Sequence, residues 1–145
     1  MTLIDTFTAG NVAPGVYRTR SKAQPSTFEE GFAAAGWRCF TLDAATWTDK
    51  AGLLAACQQA FDLPGYFGYN WDALEECLND LAWAPAGGYV ILVDNVAVFA
   101  AHQPEEWATL LAILTDATAN WSKTDTPLFV LLRGAQQYAD VPWLA

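Results

Sequence analysis

The stretch Leu63-Pro64-Gly65-Tyr66-Phe67-Gly68-Tyr69-Asn70-Trp71-Asp72-Ala73-Leu74-Glu75-Glu76-Cys77-Leu78 turns an aromatic loop directly into an acidic helix. Pro64-Gly65 and Gly68 break the chain. Asn70 then suits the position before a first turn, where its side-chain oxygen accepts one of the amide hydrogens that the turn leaves unbonded. Leu74, Cys77, Leu78 and Leu81 recur at intervals of three and four, which predicts an apolar inner stripe on a helix from Trp71 to about Leu81. Asp72, Glu75, Glu76, Asn79 and Asp80 fall on its other faces. Asp72, Glu76 and Asp80 stand four residues apart in one row, and like charges at that spacing cost about 0.2–0.5 kcal/mol per pair. The helix dipole offsets part of this at Asp72, in the first turn, but not at Asp80, near the end. The row does little for its own helix, so it is either a solvated face or a docking face.

The surrounding charge favours docking. From Ala51 to Ser122 there is no lysine or arginine, yet there are nine carboxylates: Asp62, Asp72, Glu75, Glu76, Asp80, Asp94, Glu105, Glu106 and Asp116. The flanks are balanced, so the formal charge of −9 belongs to the middle of the chain. Such one-sided charge opposes compaction through self-repulsion and makes physical sense opposite a basic partner. A pI near 4.2 argues against nucleic acid as a direct ligand. No apolar run approaches the roughly 18 residues of a membrane helix, and the N-terminus lacks the pattern of a secretory signal. A cytoplasmic location is the expectation.

Outward from the acidic helix, strands and helices alternate. Trp37 to Leu42 reads as a strand, and Lys50 to Phe61 as a helix capped by Thr48 or Asp49, with Leu53, Leu54, Cys57 and Phe61 inward. Gly88 to Val93 and Leu128 to Leu132 are apolar runs of the kind buried on both faces of a sheet. Glu105 to Trp121 reads as a helix with Leu110, Leu111 and Leu114 inward. The order strand, two helices, strand, helix, strand implies parallel pairing through right-handed crossovers. The expected fold is α/β, a three-stranded parallel sheet packed with helices, in a domain spanning 37–134. Residues 1–36 form an N-terminal extension with a short edge strand at 15–19 and a short helix from about Ser26 to Ala35, started by a Ser26/Glu29 or Thr27/Glu30 capping box. Arg18, Arg20 and Lys22 read as a solvated basic face, and residues 135–145 as a weakly patterned tail.

Other candidate chemistry is thin. The three cysteines lack a CxxC pair and read as buried thiols. His102 is the one histidine and reads as a helix-end or surface residue, so zinc and Cys–His catalysis find no support. Gly87-Gly88 lacks the phosphate-loop lysine. Asp72 and Glu76 could serve as a catalytic carboxylate pair, but one open helix face offers no cleft to separate their pKa values. No metal and no cofactor are implied. Trp71 and Trp83 flank the acidic helix and are the tryptophans best placed at an interface.

The run LPGYFGYNWDALEECL, a Tyr-aromatic-Gly-x-Asn-x-Asp-Ala-Leu-x-acid-Cys-Leu pattern, resembles the barstar family of bacterial intracellular ribonuclease inhibitors. The resemblance covers roughly Trp37 to Leu132. It implies a three-stranded parallel sheet and inhibition by occlusion, with a helix and its preceding loop plugging the enzyme's active site. On that pattern Tyr66, with Phe67 and Gly68, lies in the contact loop. Asn70, Trp71 and Asp72 open the contact helix, with Glu75, Asn79 and Asp80 neighbouring them. Glu76 occupies the place of the aspartate that enters the phosphate pocket, and Asp116 that of a peripheral glutamate. Two departures alter the plug: Glu76 is one methylene longer than that aspartate, and Glu75 stands in place of a tryptophan. The implied partner is a barnase-like ribonuclease of the guanyl-specific type, bound one-to-one, with a pocket of different shape. An acidic adaptor docking on a basic non-nuclease protein is the alternative, and a carboxylate-dependent hydrolase the third.

Overall fold

Runs such as Val90-Ile91-Leu92-Val93 and Leu128-Phe129-Val130-Leu131-Leu132 need apolar cover on both sides. The computed structural model, which describes residues 2–65, 68–135 and 140–144, supplies that cover. The strands are β1 (Val16–Thr19), β2 (Arg38–Asp43), β3 (Tyr89–Asp94), β4 (Leu128–Leu132) and β5 (Trp143–Leu144). The helices are α1 (Leu3–Thr8), α2 (Pro25–Ala34), α3 (Lys50–Ala60), α4 (Trp71–Asp80), α5 (Val96–His102) and α6 (Pro104–Trp121).

The sheet has five strands, not the expected three, in the order β2-β3-β4-β1-β5. Every pairing is parallel. β1 is therefore an interior strand rather than an edge, with Val16 opposite Val130 and Arg18 opposite Trp143. The tail contributes the true edge, β5. These pairings join residues more than a hundred positions apart, which local patterning does not reveal.

Crossover handedness explains the layers. From β2 to β3 to β4 the chain steps one way along the sheet; from β1 to β2 it steps the other way. Right-handed connections in opposite directions must pass over opposite faces. Accordingly α3, α4, α5 and α6 pack on one face, around Phe40, Ile91, Val93, Val130 and Leu132. On the other face Phe7 of α1 and Phe28 and Phe32 of α2 cover Val90, Leu92, Phe129 and Leu131. Phe7 stacks on Phe129 with centroids 4.2 Å apart. Residues 1–36 thus complete the sheet and close its second face.

Several local expectations change. α2 begins at Pro25, and its N-cap, Gln24, makes no side-chain capping bond. The capping box lies instead at Thr2 and Asp5 of α1, a helix the periodicity did not show. There the Thr2 amide, donating to Asp5, holds the Asp5 carboxyl below its ordinary pKa. α5 is a second unforeseen helix, with His102 exposed in its last turn. Arg18 is not solvated: it is 5% exposed, donating from Nε to the Val141 carbonyl at 2.6 Å and from Nη1 to that of Ala135 at 3.3 Å. Cys57 and Cys77 are buried and Cys39 is partly covered; all three are free thiols. Burial pushes the Cys39 and Cys57 thiols up to about 12, with the Glu29 carboxylate adding to the effect at Cys39.

Because α1 covers the second face, Phe7→Ala and Phe129→Ala are both expected to cost about 3–5 kcal/mol in urea unfolding, within one transition. A Phe7→Ala variant close to wild type would show α1 to be an appendage.

Candidate functional site

Ten residues are too few for a helix to persist alone in water, so α4 is held by its surroundings. Leu74, Cys77 and Leu78 are buried against the α3–α6 layer. Two indoles fasten its far end: Trp121 Nε1 donates to the Leu78 carbonyl at 2.8 Å, and Trp83 Nε1 to that of Phe61 at 3.0 Å. Asn79 locks α4 to α6, accepting from Asn120 Nδ2 at 3.0 Å while donating to the Glu75 carbonyl at 2.8 Å. Leu81, fully buried, ends the helix in the left-handed region at φ 50°.

The start is equally defined. Asn70 Oδ1 accepts from the Ala73 amide at 2.8 Å, and its Nδ2 donates to the Gly68 carbonyl at 3.3 Å. Its side chain therefore shapes the turn that launches the helix. Gly68 is close-set, since a Cβ there would stand 3.0 Å from Asn70 Nδ2. Trp71 is half-buried on the core, with Lys50 Nζ 5.6 Å from its ring. Tyr66 and Phe67, the two loop aromatics singled out from the sequence, lie outside the described residues.

Tyr69 is the residue that sequence reasoning passed over. It is 54% exposed, one of the few large apolar side chains so placed, and it sits at φ 52° immediately before the cap. A left-handed backbone costs a non-glycine residue on the order of 1–2 kcal/mol. Such positions gather at functional segments. The sequence carried no signal of this, because the left-handed backbone at position 69 shows only in the structure.

Asp72, Glu75, Glu76, Asn79 and Asp80 are all exposed and together line one open depression along α4. Asp116 is exposed on α6, one turn before the Asn120 that bonds Asn79, which brings it beside the same face. Among the described residues the one ion pair is Arg133 with Asp94, away from this face. The row is thus neither folded inward nor paired with a cation among the described residues. Its field is felt beneath: burial first, then the Glu76 and Asp80 carboxylates, raise the pKa of the Cys77 thiol. A rigid, unpaired carboxylate row can accept charge-assisted hydrogen bonds from guanidinium or ammonium groups.

Two stability effects follow. Asn70→Ala is expected to cost about 1 kcal/mol through the lost cap. Glu76→Gln is expected to leave stability unchanged or raise it by up to about 1 kcal/mol, as repulsion with Asp72 and Asp80 is relieved. Urea unfolding at low salt reads both; a clear loss in the Glu76 variant would mean that the carboxylate is a structural partner.

A search of curated proteins finds no match. A family model, Barstar (barnase inhibitor), matches residues 37–133. That span holds β2, β3, β4 and the whole of α4, and leaves β1, β5, α1 and α2 outside it. The acidic helix and the strands that carry it thus fall within one recognised sequence pattern, and the chain belongs to the Barstar family.

Proposed function

We propose that this chain is an intracellular inhibitor of a barnase-like ribonuclease, an antitoxin or immunity protein that blocks its target's active site with α4 and the preceding loop. The carrying observation is the exposed row Asp72, Glu76 and Asp80, unpaired by any cation of the described residues and fixed on a helix buried along its other side. A ribonuclease site concentrates positive groups that stabilise phosphate charge. Glu76 would enter that site as a phosphate substitute, flanked by Asp72 and Asp80, with Asp116 at the rim. Tyr69 and Trp71 would supply the aromatic contact area that interface centres favour. The remaining acids would steer encounter, so association should slow steeply as salt rises. The complex would be one-to-one, in the bacterial cytoplasm, and needs no cofactor.

Co-expression with a guanyl-specific ribonuclease of the barnase type tests this. Wild-type chain is expected to restore growth and to inhibit RNA cleavage in vitro. Glu76→Lys is expected to weaken inhibition on the order of a hundredfold or more while the fold is kept. Inhibition that survives Glu76→Lys would remove this residue as the plug. Failure against every such ribonuclease, with one-to-one capture of a basic protein that is no nuclease, would move the chain to the adaptor class.

A further inference from the structure

Three of the chain's seven basic residues, Arg20, Lys22 and Arg133, meet in one place. A crevice of about 840 Å³ opens at the carboxyl ends of β1, β3 and β4. Arg20, Lys22 and Arg133 line it, with Trp143 at its side. Its one lining acid among the described residues, Asp94, is already engaged: both carboxylate oxygens receive the Arg133 guanidinium. Arg133 Nη1 also donates to the carbonyls of Ser21, at 3.1 Å, and Ala23, at 2.6 Å, so this pair clips the β1–α2 loop into position. Arg133 and Asp94 neutralise each other, and Arg20 and Lys22 remain as two cations without a carboxylate partner among the described residues. Arg20 is nonetheless held in place, its guanidinium 3.6 Å from the centre of the Trp143 ring. A guanidinium held over an indole face still has N–H donors to offer a bidentate oxyanion.

The location agrees with the charge. The chain leaves β3 over one face of the sheet and β1 over the other, and a crevice between such departures is where open parallel sheets bind ligands. Its volume falls within the roughly 300–1,000 Å³ of small-molecule sites. In a protein of net charge −9, anions are repelled almost everywhere else. We infer that this crevice binds a phosphate group, either as free phosphate or on a molecule of nucleotide size, through Arg20 and Lys22. Two guanidiniums already lie over Trp143, Arg18 at 4.2 Å and Arg20 at 3.6 Å, so the ring is no platform for a base. Recognition therefore rests on the phosphate, with little base preference. The crevice shares no lining residue with the α4 face.

Calorimetric titration of the full chain at low salt with inorganic phosphate, AMP and GMP tests the inference. One saturable equivalent is expected at millimolar ligand or below, with AMP and GMP alike. Tighter binding of the nucleotides assigns the ester as the ligand, and equal binding of inorganic phosphate assigns the free ion; both support the site. Arg20→Gln and Lys22→Gln are each expected to weaken binding about tenfold, and Lys123→Gln to leave it unchanged. Both lining residues are exposed, so urea midpoints near wild type will show that the variants fold. Absence of saturation with all three ligands, or binding that survives the Arg20→Gln/Lys22→Gln double variant, overturns the inference.

Discussion

Burial of Leu74, Cys77 and Leu78 holds in place a row of carboxylates that its own helix disfavours. Each four-residue acidic pair costs only tenths of a kcal/mol, whereas each buried leucine contributes roughly 1.5–3 kcal/mol. The packing term wins, and the helix can present charge that serves no purpose within the molecule. The indoles of Trp83 and Trp121 and the Asn79–Asn120 bond then fix where that charge points. Preorganisation of this kind matters for binding, because ordering a mobile acidic segment would subtract from affinity.

The same economy of design runs through the sheet. β2, β3 and β4 carry the family's acidic helix on one face, and their apolar opposite face would be exposed without further cover. Residues 1–36 supply a fourth strand and two helices that close it, and β5 completes the edge. Closing that face also creates the crevice, because the β1–α2 loop arrives beside the ends of β3 and β4 and is clipped there by Arg133. Acidic and basic features thus arise from the two sides of one topology, set by a single rule of handedness.

Much of this was legible in the sequence where the information was local. The Asn70 cap and the Leu74-Cys77-Leu78 stripe gave α4 its start and its buried face, and the unbroken apolar runs marked β3 and β4. What escaped was short or long-range. α1 and α5 have six and seven residues, too few for a clear period. Asn95, before α5, is left-handed and makes no side-chain cap, so the usual start signal is missing. β1 was legible as a strand, but its interior place in the sheet, like the existence of β5, comes from pairing with distant strands. Arg18 read as surface because charge usually is; its burial depends on carbonyls of Ala135 and Val141, far along the chain. At the candidate site the acidic residues were visible as a row, while Tyr69 drew no notice because its strain lies in the backbone.

The central claim is that a fixed carboxylate takes the place of an RNA phosphate inside a cationic pocket. Competition between the chain and a 3′-mononucleotide for the active site of the proposed target ribonuclease tests this most directly. Strict competition is expected, with the apparent affinity of the chain falling in proportion to nucleotide saturation, and with that dependence lost or sharply reduced for Glu76→Ala. A stable ternary complex in which the nucleotide stays in the ribonuclease active site while the wild-type chain is bound, seen also with the Arg20→Gln/Lys22→Gln variant, would contradict the claim.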